Sequence, residues 1–133
     1  MEQYNYKVSF ESYTERHFRK QFRKEYRDKW SATEQSIIAV CERIDNMLHY
    51  CRADLIASVE CYKLVKLDFA VAGTRISPKS SGNRCILFVD EKERTVNILL
   101  VYSKSDMIEQ NETQWWKKIV KLEYEEISRI FGL

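Results

Sequence analysis

Apolar positions along this chain change period several times, and each period predicts an element. Tyr4, Tyr6, Val8 and Phe10 alternate with Asn5, Lys7 and Ser9, the two-residue rhythm of a strand over residues 4–10. Ser12 or Thr14 then starts a helix. Thr14, Phe18, Phe22, Tyr26 and Trp30 recur every four residues as one apolar stripe on an otherwise basic helix. Ser31 and Glu34 have the spacing of a capping box and predict a second helix, with Ile37, Ile38, Cys41, Ile44, Met47 and Leu48 facing inward. The two helices read as a hairpin joined at Trp30 and Ser31. Residues 50–58 show no clear period and read as a loop or turn.

Downstream the rhythm returns to strands. Residues 62–69 mix alternation with apolar runs, and residues 73–82 hold two of the three glycines and the single proline, which marks a loop. Residues 85–89 are almost continuously apolar, as in a strand buried on both faces. Asp90, Glu91, Lys92 and Glu93 form the turn to a partner strand over 95–102. A last helix over 112–131 places Trp115 or Trp116, Ile119, Leu122, Ile127 and Ile130 inward and ends at Gly132. The order β–α–α–β–β–β–α predicts an α+β fold: a small antiparallel sheet with an N-terminal helical hairpin packed on one face and a C-terminal helix.

Composition narrows the class. At 133 residues the chain reads as one domain, 44% apolar and 32% charged, large enough to bury a core without metals or disulfides. No apolar run is long enough to cross a bilayer, and MEQYNYKVSFES lacks the apolar centre of a signal peptide, so the expectation is a cytoplasmic protein. Cys41, Cys51, Cys61 and Cys85 form no C-x-x-C pair, and neither His17 nor His49 stands at zinc-finger spacing. They read as reduced, partly buried thiols, and both histidines as structural. A net charge of +2 does not by itself announce nucleic-acid binding. Its distribution says more: residues 15–29 are strongly basic and residues 109–126 acidic, which predicts a polarised molecule.

The candidate chemistry lies in the stretch KLDFAVAGTRISPKSSGNRCILFVDEKERTVNILLVYSKSDM. Its loop–strand–turn–strand layout brings Arg75, Lys79, Arg84 and Lys104 toward one sheet edge. Four cations without metal ligands beside them suit a phosphate. The plainer alternatives are an ion pair of Arg84 with Asp90 or Glu91, and solvated lysines at 79 and 104. Trp115 and Trp116 can stack bases or fill the core.

In order, K-L-x-F-A-x-x-G (66–73), K-x-x-G-x-R (79–84), ILFVD (86–90) and VNILLVYSKSD (96–106) resemble the RelE/ParE superfamily of bacterial type II toxins, in its RelE/HigB-like branch. The resemblance implies a microbial RNase-like fold and the toxin of a toxin–antitoxin system. Such a toxin cuts messenger RNA in the ribosomal A site without metal or other cofactor, and a cognate antitoxin wraps it. On this resemblance Arg84 contacts the scissile phosphate, and Lys79 and Lys104 match the family's basic loop and strand-end residues; the crowding of Lys79 by Arg75 and Arg84 in turn makes it the candidate base, and Lys104 donates a proton or holds charge. Arg75, Tyr102, Arg19 and Arg23 are the further RNA contacts. The basic helix over 16–29 could meet ribosomal RNA, dock an acidic antitoxin segment, or be a solvated face. RelE-type nucleases often carry a tyrosine or histidine near the C-terminus, and Tyr124 does not align securely with it. The same resemblance therefore leaves open a non-nuclease protein of this fold, either a gyrase poison or a degenerate toxin that only binds its antitoxin.

Overall fold

A computed structural model of the chain describes residues 5–104 and 111–133, apart from the side chain of Phe18. Tyr4 of the predicted first strand, the Phe18 side chain of the stripe, and Ser105, Asp106 and Glu109 lie outside what is described. The strands are β1 (Lys7–Phe10), β2 (Asp54–Val59), β3 (Tyr62–Phe69), β4 (Asn83–Asp90) and β5 (Thr95–Ser103). They form one sheet in the order β1-β5-β4-β3-β2.

Strand β4 organises the rest. Cys85, Ile86 and Leu87 are all fully buried although successive side chains leave opposite faces, so both faces must be covered. On one face Leu67, Cys85 and Leu87 pack with Phe22, Trp30 and Ile37. These come from α2 (Lys20–Tyr26) and α3 (Asp28–Glu42). On the other face Ile86, Leu100 and Tyr102 pack with Trp116 and Val120 of α6 (Glu112–Glu123). The predicted α+β architecture and strand-loop-strand core are present, with the C-terminal helices on the face away from the hairpin.

Several details differ from the sequence expectation. A fifth strand, β2, lies in the segment expected to be a loop. It is an edge strand with a bulge between Leu55 and Ala57, which breaks the alternation by which strands are recognised. Strand β1 pairs with β5 in parallel, because the helical hairpin carries the chain back across the sheet before it re-enters. The other pairings are antiparallel. Residues 73–82 contain a short helix, α5 (Pro78–Ser81), capped by the Ser77 side chain and ended by Gly82 at φ 78°. Asp90 closes β4 and accepts the backbone N–H groups of Lys92 and Glu93 at 3.1 Å, which moves the turn to 91–94.

The helical hairpin turns earlier than expected. Helix α1 (Ser12–Thr14) runs through a π-helical turn (Glu15–Arg19) into α2, and the chain breaks at Arg27, at φ 51°. Ser31 and Glu34 therefore lie inside α3 and do not cap it. Glu34 instead accepts from Arg19 Nη2 at 3.0 Å, tying the two arms together. The four-residue stripe explains the irregularity. In an ideal helix each four-residue step advances about 400°, so the stripe drifts about 40° per step. A wider turn and an early break keep Thr14, Phe22 and Trp30 buried.

The second arm breaks at Arg43 into α4 (Ile44–His49). The C-terminal helix likewise divides at Tyr124 into α6 and α7 (Glu125–Phe131). Leu122, expected inward, is 73% exposed, whereas Trp116 is buried and Trp115 partly so. Gly132 closes α7 at φ 64°, as expected.

Trp30 is 1% exposed and stacks on Phe22 at 4.8 Å, and its indole N–H has no hydrogen-bond acceptor among the described residues. Trp30→Ala is expected to cost about 3 to 5 kcal/mol in urea unfolding, and Trp30→Phe much less, because no hydrogen bond is lost. A cost for Trp30→Phe as large as that for Trp30→Ala would contradict this account.

Burial pushes the Cys41 thiol up to about 12 and the Cys85 thiol well above its ordinary value, while Cys51 is exposed. A disulfide reagent at neutral pH is expected to titrate Cys51 quickly and Cys41 and Cys85 only on unfolding. Rapid reaction of all four thiols in the native protein would contradict that burial.

Candidate functional site

The register of the central strands aligns three polar side chains in a row. Asp68 on β3 faces Arg84 on β4, and Arg84 faces Tyr102 on β5. All three lie on the face covered by α6. Arg84 is 9% exposed. Its Nε stands 3.1 Å from Asp68 Oδ1 and 3.5 Å from Glu112 Oε2, in the first turn of α6. The Asp68 approach is ionic, since neither atom is aligned for a hydrogen bond. Tyr102 donates its hydroxyl to the same Glu112 Oε2 at 2.6 Å, and its ring lies 4.9 Å from that of Trp115. One anionic oxygen of Glu112 is thus held by both Arg84 and Tyr102.

Burial dominates the proton affinities here. It raises the Asp68 carboxyl above its ordinary value, opposed by Arg84 and Lys66 and reinforced by Asp54 and Glu112. Burial also raises the Tyr102 phenol, with the bond to Glu112 adding to the effect. Tyr102 therefore serves as a hydrogen-bond donor at neutral pH.

The expected site residues reach one end of the sheet but not one cluster. Lys104 donates its backbone N–H to Gly82 O at 2.8 Å, and Gly82 joins α5 to β4. Lys79, on α5, and Lys104 are both exposed, as is Arg75 in the preceding loop. Arg84 begins at the same end, but its side chain turns inward beneath α6. Its carboxylate partners are not Asp90 and Glu91 as the plainer sequence reading had it; Glu91 takes Lys63 at 2.8 Å. Arg19 is shared between Glu15 and Glu34 and lies over the Phe10 ring at 4.0 Å, while Arg23 pairs with Glu15 at 3.2 Å. Part of the positive charge of the basic helix is thereby neutralised locally, leaving Arg16, Lys20 and Lys24 exposed.

Sequence reasoning missed Asp68 and Glu112. The signal for Asp68 was its position: the only acid in a strand otherwise built of apolar and basic residues, opposite Arg84. Glu112 carried no comparable signal, because its contact depends on where α6 begins. Tyr124, left unaligned in the sequence, donates its hydroxyl to Leu99 O at 2.7 Å.

A cavity of about 600 Å³ opens on the other side of the sheet, where α3 and α4 diverge from β3, and Lys79 lines it. Among the described residues no group of three or more His, Cys, Asp or Glu side chains could hold a metal ion. No described helix is long and apolar enough to cross a membrane.

No family model and no curated protein matches the chain. Among solved structures, the archaeal RelE–RelB complex from Pyrococcus horikoshii OT3 contains a chain that superposes with a TM-score of 0.51 at 10% identity, over 77% of this chain and 99% of that one. The chain therefore has a RelE-like fold.

Asp68 gives a direct test of the row. A carboxyl whose pKa is higher folded than unfolded contributes stability at low pH that is lost as pH rises through the folded value. Glu112→Gln removes a like charge, so the Asp68 carboxyl followed by NMR is expected to titrate at lower pH in that variant than in the parent. An unchanged or higher midpoint would mean that Glu112 is not beside it.

Proposed function

We propose that the chain is the toxin of a toxin–antitoxin pair and acts on the ribosome as a metal-independent mRNA endonuclease of the RelE type. The observation that carries this reading is the shared hold of Arg84 and Tyr102 on one oxygen of Glu112. The same two donors fit a phosphate oxygen, which would take the place of the carboxylate. Arg84 would stabilise the charge that builds on the phosphate during attack by the ribose 2′-hydroxyl. Lys79 and Lys104, exposed at the same end of the sheet, are the candidates for moving the protons, as base and acid. Arg75, Arg19 and Arg23 would steer the RNA backbone. The RelE-like fold, seen in a protein solved together with RelB, supports an antitoxin as partner.

A second reading keeps the fold and the antitoxin but drops the nuclease, leaving a gyrase poison or a degenerate toxin. The burial of Arg84 between two carboxylates favours it, because an arginine so compensated has less need of an external anion.

Mapping the 5′ ends of transcripts after induction separates the two. The nuclease reading expects cuts phased with codons, lost about 100- to 1,000-fold in Arg84→Ala and increased in Glu112→Ala. Intact messages in the parent, or undiminished cutting in Arg84→Ala, would refute it.

A further inference from the structure

The cavity beside β3 is too large to be a packing defect. Protein interiors fill space to crystal-like density, and ligand pockets typically enclose about 300 to 1,000 Å³ with mostly apolar walls and a few polar groups. This one encloses about 600 Å³, with Ile37, Leu67 and Phe69 among its walls. All three are buried core residues.

Its other lining residues are charged in a particular way. Arg52, on the connection from α4 to β2, and Lys79, on α5, both line it and are exposed. Neither makes an ion pair among the described residues. Lys66 on β3 also borders it, but it stands opposite Asp54 and beside Asp68 on the α6 face, so its charge is met by those carboxylates. Two carboxylates, Asp54 and Asp68, also line it; Asp54 stands opposite Lys66, and Asp68 is held by Arg84. Unpaired cations gathered around an apolar recess repel one another until an anion joins them.

We propose that this cavity is a binding site for a small organic acid: an aryl or branched-alkyl body seated against Ile37, Leu67 and Phe69, and a carboxylate or sulfonate held by Arg52 and Lys79. The cavity reaches Asp68, at the outer end of the Arg84 row, and shares Lys79 with the proposed nuclease site, but its existence does not rest on the nuclease reading.

Two fluorescent probes that share an apolar body test it on the intact chain. Anilinonaphthalene sulfonate carries an anion, and N-phenylnaphthylamine does not. The sulfonate is expected to bind at one saturable site, about tenfold more tightly than the neutral probe at low salt, with the gap closing as salt is raised. Arg52→Glu should weaken the sulfonate about tenfold and leave the neutral probe unchanged. Ser36→Trp, which fills the cavity from an exposed position on α3, should abolish both at an unaltered melting temperature. Displacement of the sulfonate by naphthoate would support the assignment. Equal affinities for the two probes, indifference to Arg52→Glu, or no displacement of the sulfonate by naphthoate would overturn it. Because every readout is binding, failure here leaves the transcript-cutting test untouched.

Discussion

Burial of β4 on both faces is the constraint on which the other features depend. A strand with apolar side chains on both sides cannot rest on a single helical layer, so the chain must supply one before the sheet and another after it. The hairpin of α2 and α3 covers one face and α6 the other. The same constraint reaches the strand's polar end. Arg84 lies on the α6 face close to the apolar core, and a guanidinium there is tolerated only where opposite charge accompanies it. Asp68 and Glu112 provide that charge, one from the neighbouring strand and one from the covering helix.

Charge in this molecule is therefore sorted by depth. The interior row is internally compensated, and burial sets its proton affinities more strongly than its ion pairs do. The exposed cations near the end of the sheet, Arg75, Lys79 and Lys104, belong to loops and strand ends and have no comparable confinement. Any anion engaging Arg84 must compete with a carboxylate already present at short range. Affinity for an external phosphate is thereby linked to the position of α6, because Glu112 travels with that helix.

Much of the fold was legible in the sequence because its strongest signals are local. The apolar run of β4, its partner β5, the inward face of α3 and the glycine that ends α7 each follow from residues within a few positions of one another. The features that escaped depend on distant partners. Strand β2 is recognised by its pairing with β3, since its own alternation is interrupted by the bulge. The apparent capping box at Ser31 and Glu34 fails because the chain breaks at Arg27 and α3 begins at Asp28, which leaves the glutamate to Arg19, an arm away. The candidate site was half legible. Sequence brought Lys79, Arg84 and Lys104 to one end of the sheet, but which face each side chain takes is decided by strand register and by the docking of α6.

The π-helical turn at Glu15–Arg19 works as a phase adjuster. It absorbs the mismatch between a strict four-residue repeat and the natural pitch of a helix, so every side chain after it is rotated relative to an uninterrupted helix. The azimuth of Lys20, Arg23 and Lys24, and hence the direction in which this arm presents its positive charge, is set jointly by one wide turn upstream and by the burial of Phe22 against the sheet. A chain one residue shorter at that point would aim the same cations elsewhere without altering a single charged position.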